Sequence, residues 1–294
     1  MDDENGRAAT KSYEHAGSAS VWSAELRLRF TSAAGSTRLG HCEHRGPLRV
    51  QRAFYPEGSA VAHVYVLHPP GGLAGGDELS IDVDVDPGAH ALLTTPAAGK
   101  CYRSDGRVAR QTQRLRVGPG ARLEWLPQEN ILFEGAQVRL ETRIDLDPSS
   151  VFIGWDVLCL GRPASGERFR KGWCRQSVEL FSDGRPLCID RASYEGGAPL
   201  LDARWGLHGV ATTGMLFAWP ASNAVLDLAR NVELASSEAA LVSHTLLGAP
   251  SLLLVSRYLG PDAARAREYL AQVWRAIRPE LLGRVASCPR VWST

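Results

Sequence analysis

The run Ile81-Asp82-Val83-Asp84-Val85-Asp86 places a carboxylate at every second position. At the helical period of 3.6 those charges would wrap around the rod and carry the apolar side chains into water with them. At period 2 they line one face and leave the other apolar, so the segment is a half-buried strand. Val85-Asp86-Pro87-Gly88 ends it with a turn, since proline fixes φ and glycine admits positive φ. Ala24-Glu25-Leu26-Arg27-Leu28-Arg29-Phe30 alternates in the same way. Strand-like runs also occupy 62–67, 108–117, 122–126, 138–146, 151–158 and 176–181, and Asp183-Gly184-Arg185 predicts a hairpin turn into 186–193. Short strands with this much glycine and proline punctuation predict a large, mainly β layered structure; spacing alone does not separate a sandwich from a barrel or a coiled sheet.

Two helices are expected. Asn223 is placed to cap a segment reaching about residue 235, and Asp262 caps a longer one that follows Gly260-Pro261 and has Pro279 near its end. Leu270, Val273, Trp274 and Ile277 fall at i, i+3, i+4 and i+7, one buried face of that second helix. Residues 1–18 are small and polar without periodicity and are expected to form a flexible tail; 19–294 show no repeat or linker and are expected to be one domain.

Composition narrows the function classes. With 44% hydrophobic and 22% charged residues the chain can bury a core, and a formal net charge of +1 gives no bulk attraction to nucleic acid or an anionic membrane. The six cysteines, at 42, 101, 159, 174, 188 and 288, form no Cys-x-x-Cys pair. The start Met1-Asp2-Asp3-Glu4-Asn5 has neither the basic end nor the apolar run of a secretory signal, and stretches such as 252–255 are too short to span a bilayer. The expectation is a cytoplasmic protein with reduced thiols.

Several catalytic chemistries lack their residues. A P-loop needs Gly-Lys-Ser/Thr, but Gly99-Lys100 is followed by Cys101, and Thr94 stands where the first glycine belongs. Gly71-Gly72-Leu73-Ala74-Gly75-Gly76 departs from the dinucleotide spacing and precedes a strand, so no helix N-terminus is available to an anion. A Gly-x-Ser-x-Gly elbow is missing, and so is a His-Glu-x-x-His pair. His41-Cys42-Glu43-His44, expected in a loop, offers metal-ligand types and supports the alternative of a metal-dependent hydrolase.

Four runs are too unusual for generic loops. They are His68-Pro69-Pro70-Gly71-Gly72-Leu73-Ala74-Gly75-Gly76-Asp77; residues 94–104, including Gly99-Lys100-Cys101-Tyr102-Arg103; residues 123–136, including Pro127-Gln128-Glu129-Asn130; and Trp155-Asp156 with Leu160-Gly161-Arg162-Pro163 and Gly166-Glu167. Together with Gly46-Pro47-Leu48-Arg49-Val50-Gln51-Arg52 and Pro289-Arg290-Val291-Trp292-Ser293-Thr294, this ordered set resembles the urease accessory protein UreD (UreH) family over nearly all of the chain after residue 20. One departure is Cys101, where an aromatic residue is expected; it implies altered local packing.

The resemblance implies a coiled β fold with about two helices and a non-catalytic role. Members of such a family join UreF and the GTPase UreG on apo-urease and enable GTP-dependent nickel insertion, which agrees with the missing P-loop here. It implies no tightly bound cofactor, only transient Ni2+. Carboxylates hold a divalent ion loosely enough to release it, so Asp77, Asp156 and Glu167, all within the matching runs, are the candidates to line a nickel passage. Lys100, Tyr102 and Arg103 are the candidate partner contacts, because tyrosine and arginine are favoured at interface centres.

Overall fold

A computed structural model of the chain describes residues 22–234, 239–248 and 252–293. The expected tail, 1–18, lies outside these residues. The chain coils between two sheets. A seven-stranded sheet runs from Arg185–Glu195 through Trp173–Ser182, Gln137–Leu146, Ala109–Val117, Glu78–Val85 and Ser23–Ala33 to Ser36–Arg45. Its five central strands are parallel and its two edges antiparallel. Opposite it, a twelve-stranded sheet is built on the order Leu241–Leu247, Leu252–Gly260, Thr212–Ala221, Val151–Arg162, Arg122–Trp125, His90–Thr94, Ala62–Leu67 and Arg49–Val50. Successive segments alternate between the sheets, so each turn of the coil adds one parallel strand to both. Parallel neighbours need such a crossover, which a hairpin cannot supply.

The alternating aspartates behave as their period requires. In Glu78–Val85 the residues Leu79, Ile81, Val83 and Val85 are buried between the sheets. Asp82 and Asp84 face outward beside the next strand's arginines, with Arg116 Nε 2.5 Å from Asp84 Oδ1. Asp183 and Gly184, at φ +49° and +71°, make the two-residue hairpin turn that the sequence predicts.

Three α-helices occur among the described residues, one more than expected: the single turn α1 (Pro199–Asp202), α2 (Asn223–Arg230) and α3 (Ala263–Leu282). Proline at the first position of α1 lacks an N–H that would be unpaired there in any case. The cap of α2 is Ser222, whose side chain accepts from the Val225 N–H, and Asn223 is the first helical residue. Asp262 caps α3 as expected.

The apolar stripe of α3 is buried against the outer face of the larger sheet, packing on Leu92, Leu126, Ile153 and Leu254. One polar residue shares that stripe. Arg278, four positions beyond Trp274, is fully buried, and so is Glu124 on the sheet beneath it. Arg278 Nε and Nη2 donate to Glu124 at 2.8 and 3.0 Å, and Nη1 and Nη2 donate to Glu57 at 2.9 and 2.8 Å. A further Nη1 bond to the Val285 carbonyl accounts for all five guanidinium donors. Glu124 also accepts from Trp274 Nε1 at 2.7 Å and bonds His90 Nε2 at 2.9 Å, while His63 Nε2 bonds Glu57 at 2.8 Å. Burial opposes ionisation of Glu124, but the hydrogen bonds and charges of His90 and Arg278 outweigh it and hold the carboxyl down at about 2.

Breaking this cluster from one side leaves a buried charge. Arg278→Met or Glu124→Leu alone should cost about 3–5 kcal/mol in urea unfolding, and the double substitution clearly less than the sum. The Glu124 carboxyl lies below its unfolded value of 4.5. Its contribution is therefore complete above that pH and lost as pH falls towards 2, a loss of about 3 kcal/mol readable from urea midpoints across the window.

Candidate functional site

The four unusual sequence runs stack at one corner of the coil. Gly72 pairs with Lys100, Lys100 with Ile131, and Ile131 with Cys159, in strands Gly72–Leu73, Gly99–Cys101, Asn130–Leu132 and Val151–Arg162. Two glycines are demanded by the close approach of these layers. A Cβ on Gly72 would lie 2.5 Å from the Lys100 carbonyl oxygen, and one on Gly99 would lie 2.6 Å from Asn130 Oδ1.

Behind this corner, between the sheets, is a cavity of about 120 Å3. Its polar lining is His68, Thr95, Gln111, Gln113, Gln128, Asn130 and Asp156, and a narrow crevice continues past Gln113, Thr142 and Asp156. Gln113 and Gln176 stand at inward-facing positions of the seven-stranded sheet, where the neighbouring inward residues Leu115, Val178 and Leu180 are apolar. Thr142 Oγ1 donates to Gln113 Oε1 at 3.2 Å. Burial lowers the His68 pKa, against the charge of Asp77. The lining side chains include amides, one carboxyl and one imidazole.

The three acids singled out from sequence have different surroundings. Asp156 Oδ1 is shut off from solvent without a hydrogen-bond partner. Burial pushes the Asp156 carboxyl up to about 6, against the pull of the Gln176 and Asn130 amides. Among the described residues no cation stands beside it, and it faces the cavity. Asp77 accepts from the Trp22 N–H at 3.1 Å and the Ala74 N–H at 2.8 Å, so its carboxylate pins the glycine loop to the start of the chain's first strand. Glu167 accepts from Arg162 Nη2 at 2.5 Å and the Glu134 N–H at 3.0 Å, and the Arg162 bond holds its carboxyl below the usual range. The structure places neither on the cavity wall. Lys100, Tyr102 and Arg103 are exposed at the stacked corner, with Tyr102 edge-on to Phe133 at 5.2 Å.

Sequence reasoning passed over the amides. Gln113 and Gln176 interrupt apolar inward positions in their strands, and that polar break is the signal that could have found them. Cys101 is buried in the intersheet core, where burial pushes its thiol up to about 12.

His41-Cys42-Glu43-His44 lies in the strand Ser36–Arg45 and not in a loop. Both faces of that edge strand are largely solvated there, so it carries no alternation to read. His41 and Glu43 point to one side, with His41 Nε2 3.7 Å from Glu43 Oε2, while Cys42 and His44 point to the other. No group of three or more metal-ligating side chains occurs among the described residues. No described helix is long and apolar enough to cross a membrane.

The family model described as "UreD urease accessory protein" matches residues 23–293. This chain belongs to the UreD family. Proteins named urease accessory protein UreD from Dechloromonas aromatica, Azoarcus sp. and Ralstonia nicotianae are 46%, 45% and 42% identical to it. Each alignment covers 93% of this chain and 95%, 94% and 94% of the respective relative. A role as a urease accessory protein follows from this membership, and the stacked corner is built from the same runs that carry the UreD resemblance.

The raised Asp156 carboxyl has a consequence for stability. Its folded value, about 6, lies above the ordinary 3.8, so the carboxylate costs stability that is present below 3.8 and lost as pH rises to 6. Asp156→Asn should therefore stabilise the protein by about 1–3 kcal/mol at pH 7, with the gain vanishing near pH 4, as followed by urea unfolding at the two pH values.

Proposed function

We propose that the chain is a non-catalytic chaperone of urease metallocentre assembly. It would join UreF and the GTPase UreG on apo-urease and let nickel pass along its intersheet cavity. The observation that carries this reading is Asp156, a carboxylate facing a polar cavity with an oxygen that no protein group answers. A passing divalent cation would supply the missing positive charge, and the surrounding amide oxygens would hold it weakly enough for release. Asp77 and Glu167 serve this passage by fixing the loops around it, since their oxygens are already engaged. GTP hydrolysis belongs to the partner, and the nickel is cargo. The working compartment is the cytoplasm.

Lys100, Tyr102 and Arg103 are proposed as partner contacts. Lys100 and Tyr102 stand exposed beside Gly72, which lines the cavity, and Arg103 lies against Gly135, so a partner seated on them would cover this corner. Tyr102→Ala combined with Arg103→Glu should reduce recovery of the partners in a pull-down at least tenfold while the variant keeps its near-ultraviolet circular dichroism.

Asp156→Asn tests the passage, because the substitution keeps the side chain's shape and is expected to stabilise the fold. In cells making urease and the other accessory proteins, it should leave the maturation complex intact in pull-downs. Nickel per urease, measured by plasma mass spectrometry, should fall several-fold along with urease activity. Full nickel loading in this variant would refute the passage through Asp156. Active, nickel-replete urease after deletion of the whole chain would refute the accessory role itself.

A further inference from the structure

We propose that Arg139 and Arg175, with Arg110 at the end of their row, form a binding site for a phosphate-type oxyanion on the outer face of the seven-stranded sheet. Arg110, Arg139 and Arg175 are register partners on three adjacent parallel strands. Neighbouring strands lie about 4.8 Å apart, so the three guanidinium groups start from one line across the sheet. Like charges side by side are unfavourable in a sheet, and three neighbouring arginines on this face are matched by acids. Arg116 meets Asp84 at 2.5 Å, Arg143 meets Asp145 at 2.7 Å and Arg191 meets Glu179 at 2.7 Å. In this row only Arg110 reaches a carboxylate, Glu78, at 3.8 Å. Among the described residues no carboxylate lies within ion-pair distance of Arg139 or Arg175.

Two further observations point to a missing anion. Arg139 Nε is shut off from solvent and has no hydrogen-bond partner, although buried donors are rarely left unpaired. Beside it runs an open groove of about 580 Å3 whose charged lining is five arginines, 114, 139, 143, 175 and 191, against Glu141 and Glu179. Arg143, Arg191 and Arg114 are answered by Asp145, Glu179 and Asp82, so the guanidinium groups left without a carboxylate are those of Arg139 and Arg175. Arg175 is steadied over the Trp173 ring at 5.2 Å, a contact that orients the guanidinium without neutralising it.

The geometry selects the class of anion. A single carboxylate is satisfied by one guanidinium fork and would leave the second arginine unanswered. A tetrahedral dianion presents oxygens in several directions, bridges both forks and matches the charge of the two arginines that no carboxylate answers. Thr112, on the same face in the next row, adds a hydroxyl donor, while Ser177 in that row donates to Glu179 at 3.3 Å and Glu141 stands between them. This site is on the opposite side of the sheet from the intersheet cavity, so it stands whether or not nickel passes there.

Isothermal titration calorimetry of the chain at low ionic strength tests the site, with inorganic phosphate, adenosine triphosphate, adenosine and an aspartate-rich peptide in separate arms. Saturable heat with phosphate is expected, and it should weaken at least tenfold between 20 and 200 mM salt by screening, about the behaviour of exposed charge pairs. Arg139→Gln combined with Arg175→Gln should weaken it at least tenfold more, while Arg27→Gln, an arginine elsewhere on the same face, should leave it unchanged. Tighter binding of the triphosphate, with none of adenosine, would identify a nucleotide phosphate as the source; equal or tighter binding of free phosphate would identify the inorganic ion. No saturable heat in the phosphate and triphosphate arms, or equal affinity in the double variant with unchanged circular dichroism, would overturn the proposal. So would tighter binding of an aspartate-rich peptide than of either phosphate, which would make the face a protein-docking surface.

Discussion

Glu124 is a carboxylate with no solvent exposure in the middle of a sheet, and its ionised form survives there only because α3 delivers Arg278 and Trp274 to it. An isolated charge in that position would be very costly. Strand, helix and the Glu57 loop must therefore close together, to within hydrogen-bond distance, or the cluster fails as a whole. The consequence reaches the cavity through the alternation of the strand. Glu124 faces the helix, and Trp125, the next residue, faces the space between the sheets, where it forms part of the cavity wall. The segment that follows supplies Gln128 and Asn130 to that wall and is tied back to α3 by Arg267, which bonds Gln128 and, at 2.8 Å, Glu129. The C-terminal segment adds a second clamp: Trp292 packs on Trp155 and Trp274 and donates to Thr94 at 2.8 Å.

Two acids of the same sheet thus divide the labour of the molecule. Glu124 receives donors on both oxygens and is driven far below the ordinary carboxylate range. Asp156, one strand away in the same sheet, meets only amides and is driven upward. The first is satisfied by the fold and serves stability. The second is left short of charge by the fold, and such a group in a polar cavity is where a cation finds its place.

The coil also explains why UreD-family motifs look alike without being repeats. Each glycine-bearing run occupies the same corner on a successive turn, and at Gly72 and Gly161 a Cβ would meet a backbone oxygen at 2.5 Å. The outer sheet face follows a different rule. Parallel sheets are usually covered on both sides, but here one side is open, and it is made soluble by rows of arginine and carboxylate that mostly neutralise one another. The row in which they do not is the exception that marks a binding surface.

Local physics was legible in the sequence. The period-2 aspartates, the Asp183-Gly184 hairpin and the stripe of α3 depend on nearest neighbours in the chain, and the expected strands appear within a few residues of their expected ends. The edge strand Ser36–Arg45 was not legible, because solvent on both faces erases the alternation. Pairing was also out of reach. Arg278 shares the spacing of the buried stripe and Glu124 is a lone acid in an apolar run, yet 154 residues separate them. The candidate site shows the same division. Asp77, Asp156 and Glu167 are indistinguishable as acids beside glycine-rich motifs. Only the tertiary structure gives Asp77 two backbone N–H groups, Glu167 an arginine and Asp156 no full partner, because the fate of a buried carboxylate is set by donors that folding brings from elsewhere in the chain.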